Sequence, residues 1–203
     1  MKLTLTPGSP VTTATRDRIL EAGAQLIHRQ GYNRTGIQEI LQAAGVPKGS
    51  FYFYFKSKED FGLALVDFFG QFFRQKSQEL LEDASQPPLT RLRAFFDSFH
   101  ERFSQNEFCG GCPVGNLAQE MGDLSPAFGH KLTQAIDFMA SRVIPVLEEA
   151  RQAGDLDPAC DPAELAYFII AAWHGSLIRM KAGKDGQPLE TFQRMVFDRL
   201  LTR

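Results

Sequence analysis

The spacing of apolar residues limits what this chain can fold into more than any other feature. Ile19, Ala22 and Leu26, flanked by Leu20, Ala24 and Ile27, recur at three- and four-residue steps, the repeat of one face of an α-helix. The same repeat returns in Phe61, Leu65, Phe68, Phe69 and Phe72, and again in Leu92, Phe95, Phe96, Phe99 and Phe103. Gly or Pro stands where it stops, at Gly31, Gly45-Val46-Pro47, Pro87-Pro88, Gly110-Gly111, Gly154 and Gly183. No stretch alternates apolar and polar residues as a half-buried strand does, and no segment repeats. The pattern predicts an all-α protein, with a short three-helix head followed by a longer helical body. Helices are expected over about 15–30, 35–44, 47–54, 57–82, 89–106, 114–122, 125–152, 162–183 and 188–201.

Composition narrows the class. Of 203 residues, 43% are hydrophobic and 23% charged, enough apolar material for a core, so a disordered chain is excluded. No apolar run reaches the roughly 18 residues of a membrane span. Met1–Pro10 lacks the apolar core of a signal peptide. A cytoplasmic protein with reduced thiols is expected, and three cysteines do not make a disulfide scaffold. The net charge of −2 hides an asymmetry: residues 1–58 carry a net +5 and the rest a net −7. A basic head on an acidic body suits contact with a polyanion, although a segment of this size can also drift to that charge.

Within the head, residues 1–12 read as a flexible arm rich in Thr, Pro and Gly. Thr35-Gly36-Ile37-Gln38 reads as a capping box opening the second helix. Pro47 fits the first turn of the third helix, and Ser57 fits the N-cap of the fourth. Two short helices joined by a Gly-containing turn match a helix-turn-helix, whose second helix enters a major groove. Lys48, Gly49 and Ser50 stand at the start of that helix, where backbone N–H groups favour phosphate. Phe51 and Phe55, four apart, should face the core. Tyr52, Phe53 and Tyr54 then lie outside, beside Lys56 and Lys58, as a nucleic-acid surface or as an apolar knot between helices.

These residues carry a resemblance. Arg16-Asp17-Arg18-Ile19-Leu20-Glu21-Ala22, Gly31-Tyr32 and the run from Gly45-Val46-Pro47-Lys48-Gly49-Ser50 through Phe51-Tyr52-Phe53-Tyr54-Phe55-Lys56-Ser57-Lys58-Glu59 resemble the TetR family of transcriptional regulators. The resemblance implies a DNA-binding head over 13–58 and a six- or seven-helix body over 59–203 that binds ligand and dimerises. It implies that Thr35 caps the second helix and touches phosphate. Lys48, Gly49, Ser50, Tyr52, Phe53 and Tyr54 would contact a palindromic operator, and Lys58 would meet phosphate. The family commonly has His between the two tyrosines, where this chain has Phe53. A phenylalanine donates no hydrogen bond, so its contact would be to a thymine methyl or a sugar.

In the body, a helical wheel over 162–183 separates two faces. Ile170, His174, Leu177 and Lys181 fall within about 100° of Trp173, and this face is read as looking inward onto an effector pocket. Lys181 there needs an anion or water, or reaches past the helix end to solvent. His174 and Trp173 can equally be plain core residues. The far face holds Phe168, Ala171, Ala172, Gly175, Arg179 and Ala182, mostly small, and is expected to form a homodimer seam with Phe192, Met195, Val196 and Leu200 of the last helix.

Cys109-x-x-Cys112 has half the spacing of a zinc site without the other half, so neither a metal nor a cofactor is expected. Cys112 precedes the helix beginning at Pro113, where a thiol is a better nucleophile; a buried inert cysteine is the alternative. Gly111-Cys112-Pro113-Val114-Gly115-Asn116-Leu117-Ala118-Gln119-Glu120, with Trp173-x-Gly175 and Lys181, is similar to a TetR subgroup whose repressors respond to acrylate and to N-ethylmaleimide-like electrophiles. The resemblance implies an unsaturated acid or electrophile as effector, with Cys112 and Asn116 beside it. It also implies a repressor, not an enzyme; the rival is an enzyme modifying a small molecule through Cys112.

Overall fold

The computed structural model describes residues 11–202, with side chains from residue 14 onward. Among the described residues there are nine α-helices and no strand, as the periodicity predicts. They are α1 (Val11–Gln30), α2 (Ile37–Ala44), α3 (Phe51–Tyr54), α4 (Lys58–Leu81), α5 (Pro88–Gln105), α6 (Pro113–Met121), α7 (Pro126–Ala153), α8 (Pro162–Gly183) and α9 (Gln187–Met195). A 3-10 turn over Lys48–Ser50 leads into α3, and a wider π-helical turn over Val196–Leu200 follows α9. The arm expected over 1–12 lies outside the described residues except for Val11 and Thr12, which already belong to α1. No described helix is long and apolar enough to cross a membrane.

The chain divides into two compact units. The first is Met1–Phe72 with Pro113–Thr133, the second Phe73–Cys112 with Gln134–Arg203.

The first unit is built on phenylalanine. Phe51, Phe55 and Phe61 are buried, with ring centroids 5.4, 5.6 and 5.0 Å apart pairwise. Ile19, Ala24, Ile40 and Leu65 close the core around them. Each ring removed from water is worth about 2 kcal/mol, which holds a one-turn helix that propensity alone would not. Gly31 ends α1 at φ 93° and its N–H donates to the Ile27 carbonyl at 2.9 Å. Gly62 on α4 leaves room for two rings: a Cβ there would lie 2.4 Å from Phe128 and 2.7 Å from Tyr32. α4 starts as expected, with Ser57 Oγ accepting from the Asp60 N–H at 3.0 Å, while Asp60 accepts in return from the Lys56 N–H at 2.9 Å.

One cap is not the expected one. Thr35 is fully buried, and its hydroxyl donates backward to the Gly31 carbonyl at 2.7 Å. The N-cap of α2 is Gly36, without a side-chain cap bond. The carbonyl left open by the left-handed glycine competes for the hydroxyl and wins it, so Thr35 closes the α1–α2 turn and does not reach phosphate.

In the second unit Trp173 packs among Phe96, Phe99, Phe103 and Phe192, at centroid distances of 5.1, 6.2, 6.4 and 5.0 Å. Phe95 and Phe96 are fully buried. Arg91 is buried too, donating to the Leu81 carbonyl at 2.7 Å and pairing with Glu149. Asp161 caps α8 by accepting from the Ala163 N–H at 2.8 Å.

Candidate nucleic-acid interface and effector region

The segment from Lys48 to Tyr54 is held from beneath and open above. Phe51 and Phe55 anchor it in the core, while Lys48, Gly49, Tyr52 and Phe53 are exposed and Ser50 and Tyr54 half-buried. Tyr52 is 67% and Phe53 75% exposed, so these two aromatics are not a knot between helices. A Cβ at Gly49 would meet nothing within 4 Å, so this backbone is open to a close approach. The turn before the segment is fixed by a residue that sequence reasoning overlooked. Arg18 Nη2 donates to the Ala44 and Gly45 carbonyls at 2.6 and 3.2 Å, satisfying the C-terminal carbonyls of α2.

Lys58 is half-buried at the start of α4. Its ammonium lies 4.6 Å from the Tyr32 ring centroid, a cation–π contact. Burial pulls its pKa below the usual lysine value, against the opposing pull of the Glu120 carboxylate. The Tyr32 hydroxyl is pushed up to about 12, chiefly by burial and then by Glu59 and Glu120. Glu120, also overlooked, accepts from the Tyr32 N–H at 2.8 Å and the Asn33 N–H at 2.7 Å. One carboxylate thus holds two successive amides of the α1–α2 turn. Ser125 donates to Glu59 at 2.5 Å.

The residues expected around an effector are divided. Cys112, Trp173, His174, Leu177 and Lys181 fall in the second unit and Asn116 in the first. Trp173 and Leu177 are buried, whereas Lys181 is exposed near the end of α8. It takes the outward alternative and does not line the buried face. The half-buried His174 has an Nε2 with no hydrogen-bond partner. Burial depresses its pKa below that of free imidazole, while a hydrogen bond to the Ile170 backbone acts the other way. Cys112 is half-buried, and no disulfide joins it to Cys109. The loop before it is unusual: Glu107 and Phe108 have φ of 51° and 54°, and Gly110 and Gly111 follow at 91° and 73°. Left-handed backbone costs a non-glycine residue about 1 kcal/mol. Among the described residues no group of three or more His, Cys, Asp or Glu is arranged to hold a metal.

On the expected dimer seam, Phe168 is 56% and Met195 54% exposed. Gly175 and Arg179 are exposed and Ala172 half-buried. Phe192 and Val196 are corrected: both are buried within the protomer, Phe192 with its ring 5.0 Å from those of Phe96 and Trp173. The wheel of α8 does not say which face of α9 turns toward Trp173. Leu200, also expected on the seam, is exposed, and Tyr167 and Ile178, overlooked in the sequence, are further exposed apolar residues of α8.

Comparison with known proteins finds matches to both parts of the chain. Residues 19–65 match the family described as bacterial regulatory proteins, tetR family, and residues 88–196 match the tetracyclin repressor-like C-terminal domain. Transcriptional regulator AcuR of Cereibacter sphaeroides is 36% identical, over 97% of this chain and 90% of its own. The HTH-type transcriptional repressor NemR of Escherichia coli is 33% identical, over 87% of this chain and 88% of its own. A crystal structure of regulatory protein TetR from Rhodobacter sphaeroides superposes with a TM-score of 0.85 at 36% identity, covering 91% of this chain and 97% of that one. Reduced E. coli NemR gives 0.84 at 30% identity, covering 91% and 96%. With both halves matched, the chain belongs to the TetR family of bacterial transcriptional regulators.

Proposed function

We propose that this protein is a homodimeric cytoplasmic repressor, not an enzyme, that releases a palindromic operator when a small unsaturated acid or electrophile reaches Cys112. The observation that carries the DNA-binding part is the segment from Lys48 to Tyr54, anchored in the core through Phe51 and Phe55 while Lys48, Gly49, Tyr52 and Phe53 stand exposed. Lysine and hydroxyl groups there suit phosphate, and the side chains of α3 suit base edges. Residues 13–58 form the DNA-binding part and 59–203 the part that binds effector and dimerises. The repressor names of relatives such as NemR and DhaR support the direction of control. Electrophoretic mobility shift on DNA flanking the gene tests the reading, with retarded duplex expected and no specific retardation refuting it.

The dimer rests on the exposed face of α8 and on Met195. A Cβ at Gly175 meets nothing within the protomer, so Gly175→Trp should leave the protomer folded. In a close helix–helix seam the indole overpacks. Sedimentation is expected to show folded monomers, and an intact dimer would remove this seam.

For the effector, the thiolate of Cys112 adds to a polarised double bond. Sulfur bonds the β-carbon, the π pair moves to the α-carbon and takes a proton from water, and nothing leaves. Cys112→Ser is therefore expected to bind operator normally and to stay bound in N-ethylmaleimide. If that variant is still released, addition at Cys112 is not the signal and this part of the reading is refuted.

A further inference from the structure

Phe53 is the most exposed large apolar side chain among the described residues, at 75%. It follows the buried Phe51 by two positions, about 200° around α3, so it points away from the core that holds the helix. Its ring is not loose: Tyr54 meets it edge-on, centroids 4.9 Å apart and planes at 83°. The exposed Lys48 and Lys56 lie on either side of it in the chain. A hydrocarbon ring offers nothing to a phosphate oxygen or to the polar edges of adenine, guanine and cytosine. The one apolar group on a major-groove edge is the C5-methyl of thymine.

We infer that Phe53 reads a thymine methyl in each half-site of the operator. This rests on the DNA-binding reading above and adds a base to it. Covering one methyl is worth about a fourfold gain in affinity per half-site, or about fifteenfold for two symmetric sites. The operator is thereby constrained at that position by a contact with no hydrogen bond in it.

The probe is a duplex selected by the wild-type dimer from a random-sequence pool. Each thymine is then replaced in turn by deoxyuridine, which changes only methyl to hydrogen. One symmetric pair of positions is expected to lose about fifteenfold in affinity in the wild-type protein. Phe53→Ala should show no loss at that pair, with an unchanged melting temperature as the control for folding. Two results overturn the inference: no position in the wild-type complex responds to methyl removal, or Phe53→Ala responds as strongly as wild type, which leaves the ring against a sugar. Failure of the wild-type protein to select any duplex is different, because it refutes the DNA-binding reading itself and this inference with it.

Discussion

Replacing Lys48 and Tyr52 together by alanine should weaken operator binding at least about a hundredfold and leave the protein folded. Each direct contact to a base edge is worth about 1–3 kcal/mol, and a two-fold operator counts each side chain twice. Both side chains are exposed. Tyr52 makes one ring contact, edge-on to Phe51 at 5.5 Å, while Phe51 keeps its packing on Phe55 and Phe61. The loss should therefore appear in binding and not in the thermal midpoint. The two singles should differ in kind. Lys48→Ala reduces the salt dependence, with the slope of log K against log salt shallower by about one per half-site, while Tyr52→Ala weakens binding with the slope kept. Titration by fluorescence anisotropy at several salt concentrations measures both. A double variant that binds within threefold of wild type would move the contact surface off α3.

Trp173→Ala is the second large effect, and it falls on stability. The indole is 5% exposed and touches four phenylalanine rings drawn from α5 and α9. Removing such a side chain costs about 3–5 kcal/mol, because the neighbours collapse only partly into the space. Much of a small protein's stability lies in that range. Urea unfolding followed by circular dichroism is expected to show a midpoint lowered by that cost divided by the slope, with the slope itself unchanged. A cost below about 1 kcal/mol would mean that the indole lines an open cavity and does not fill a core.

Local signals in the sequence were reliable where the partner is local. Ser57 caps α4 because its acceptor and the Asp60 N–H are three residues apart. Gly31 ends α1 because nothing else suits φ 93° there. The burial of Phe51 and Phe55, and the exposure of Tyr52 and Phe53, follow from a four-residue step. Thr35 shows the limit of the same reasoning, since its hydroxyl had two local partners and the sequence does not rank them. Glu120 was not legible at all, because the two amides it holds lie 88 and 87 residues away. The wheel sorted α8 well: Ile170, Trp173 and Leu177 are buried and Phe168, Gly175 and Arg179 exposed. It failed at Lys181, where the helix runs out near Gly183, and it carried no information on which face of α9 receives Trp173.

The hold of Glu120 on the α1–α2 turn bears on protein engineering. The unit that contains the recognition segment is discontinuous: α6 and the start of α7 belong to it as much as α1 does. A chimera made by splicing residues 1–58 onto a foreign sensor transplants every side chain offered to DNA. It leaves behind the carboxylate that binds the Tyr32 and Asn33 amides, and the Phe128 ring that packs 5.2 Å from Tyr32. Two donors would then seek water, and the face of Tyr32 that Phe128 covers would lie bare. A working graft has to carry two stretches of chain, the second being Pro113–Thr133, with a residue at position 120 that can still accept both hydrogen bonds.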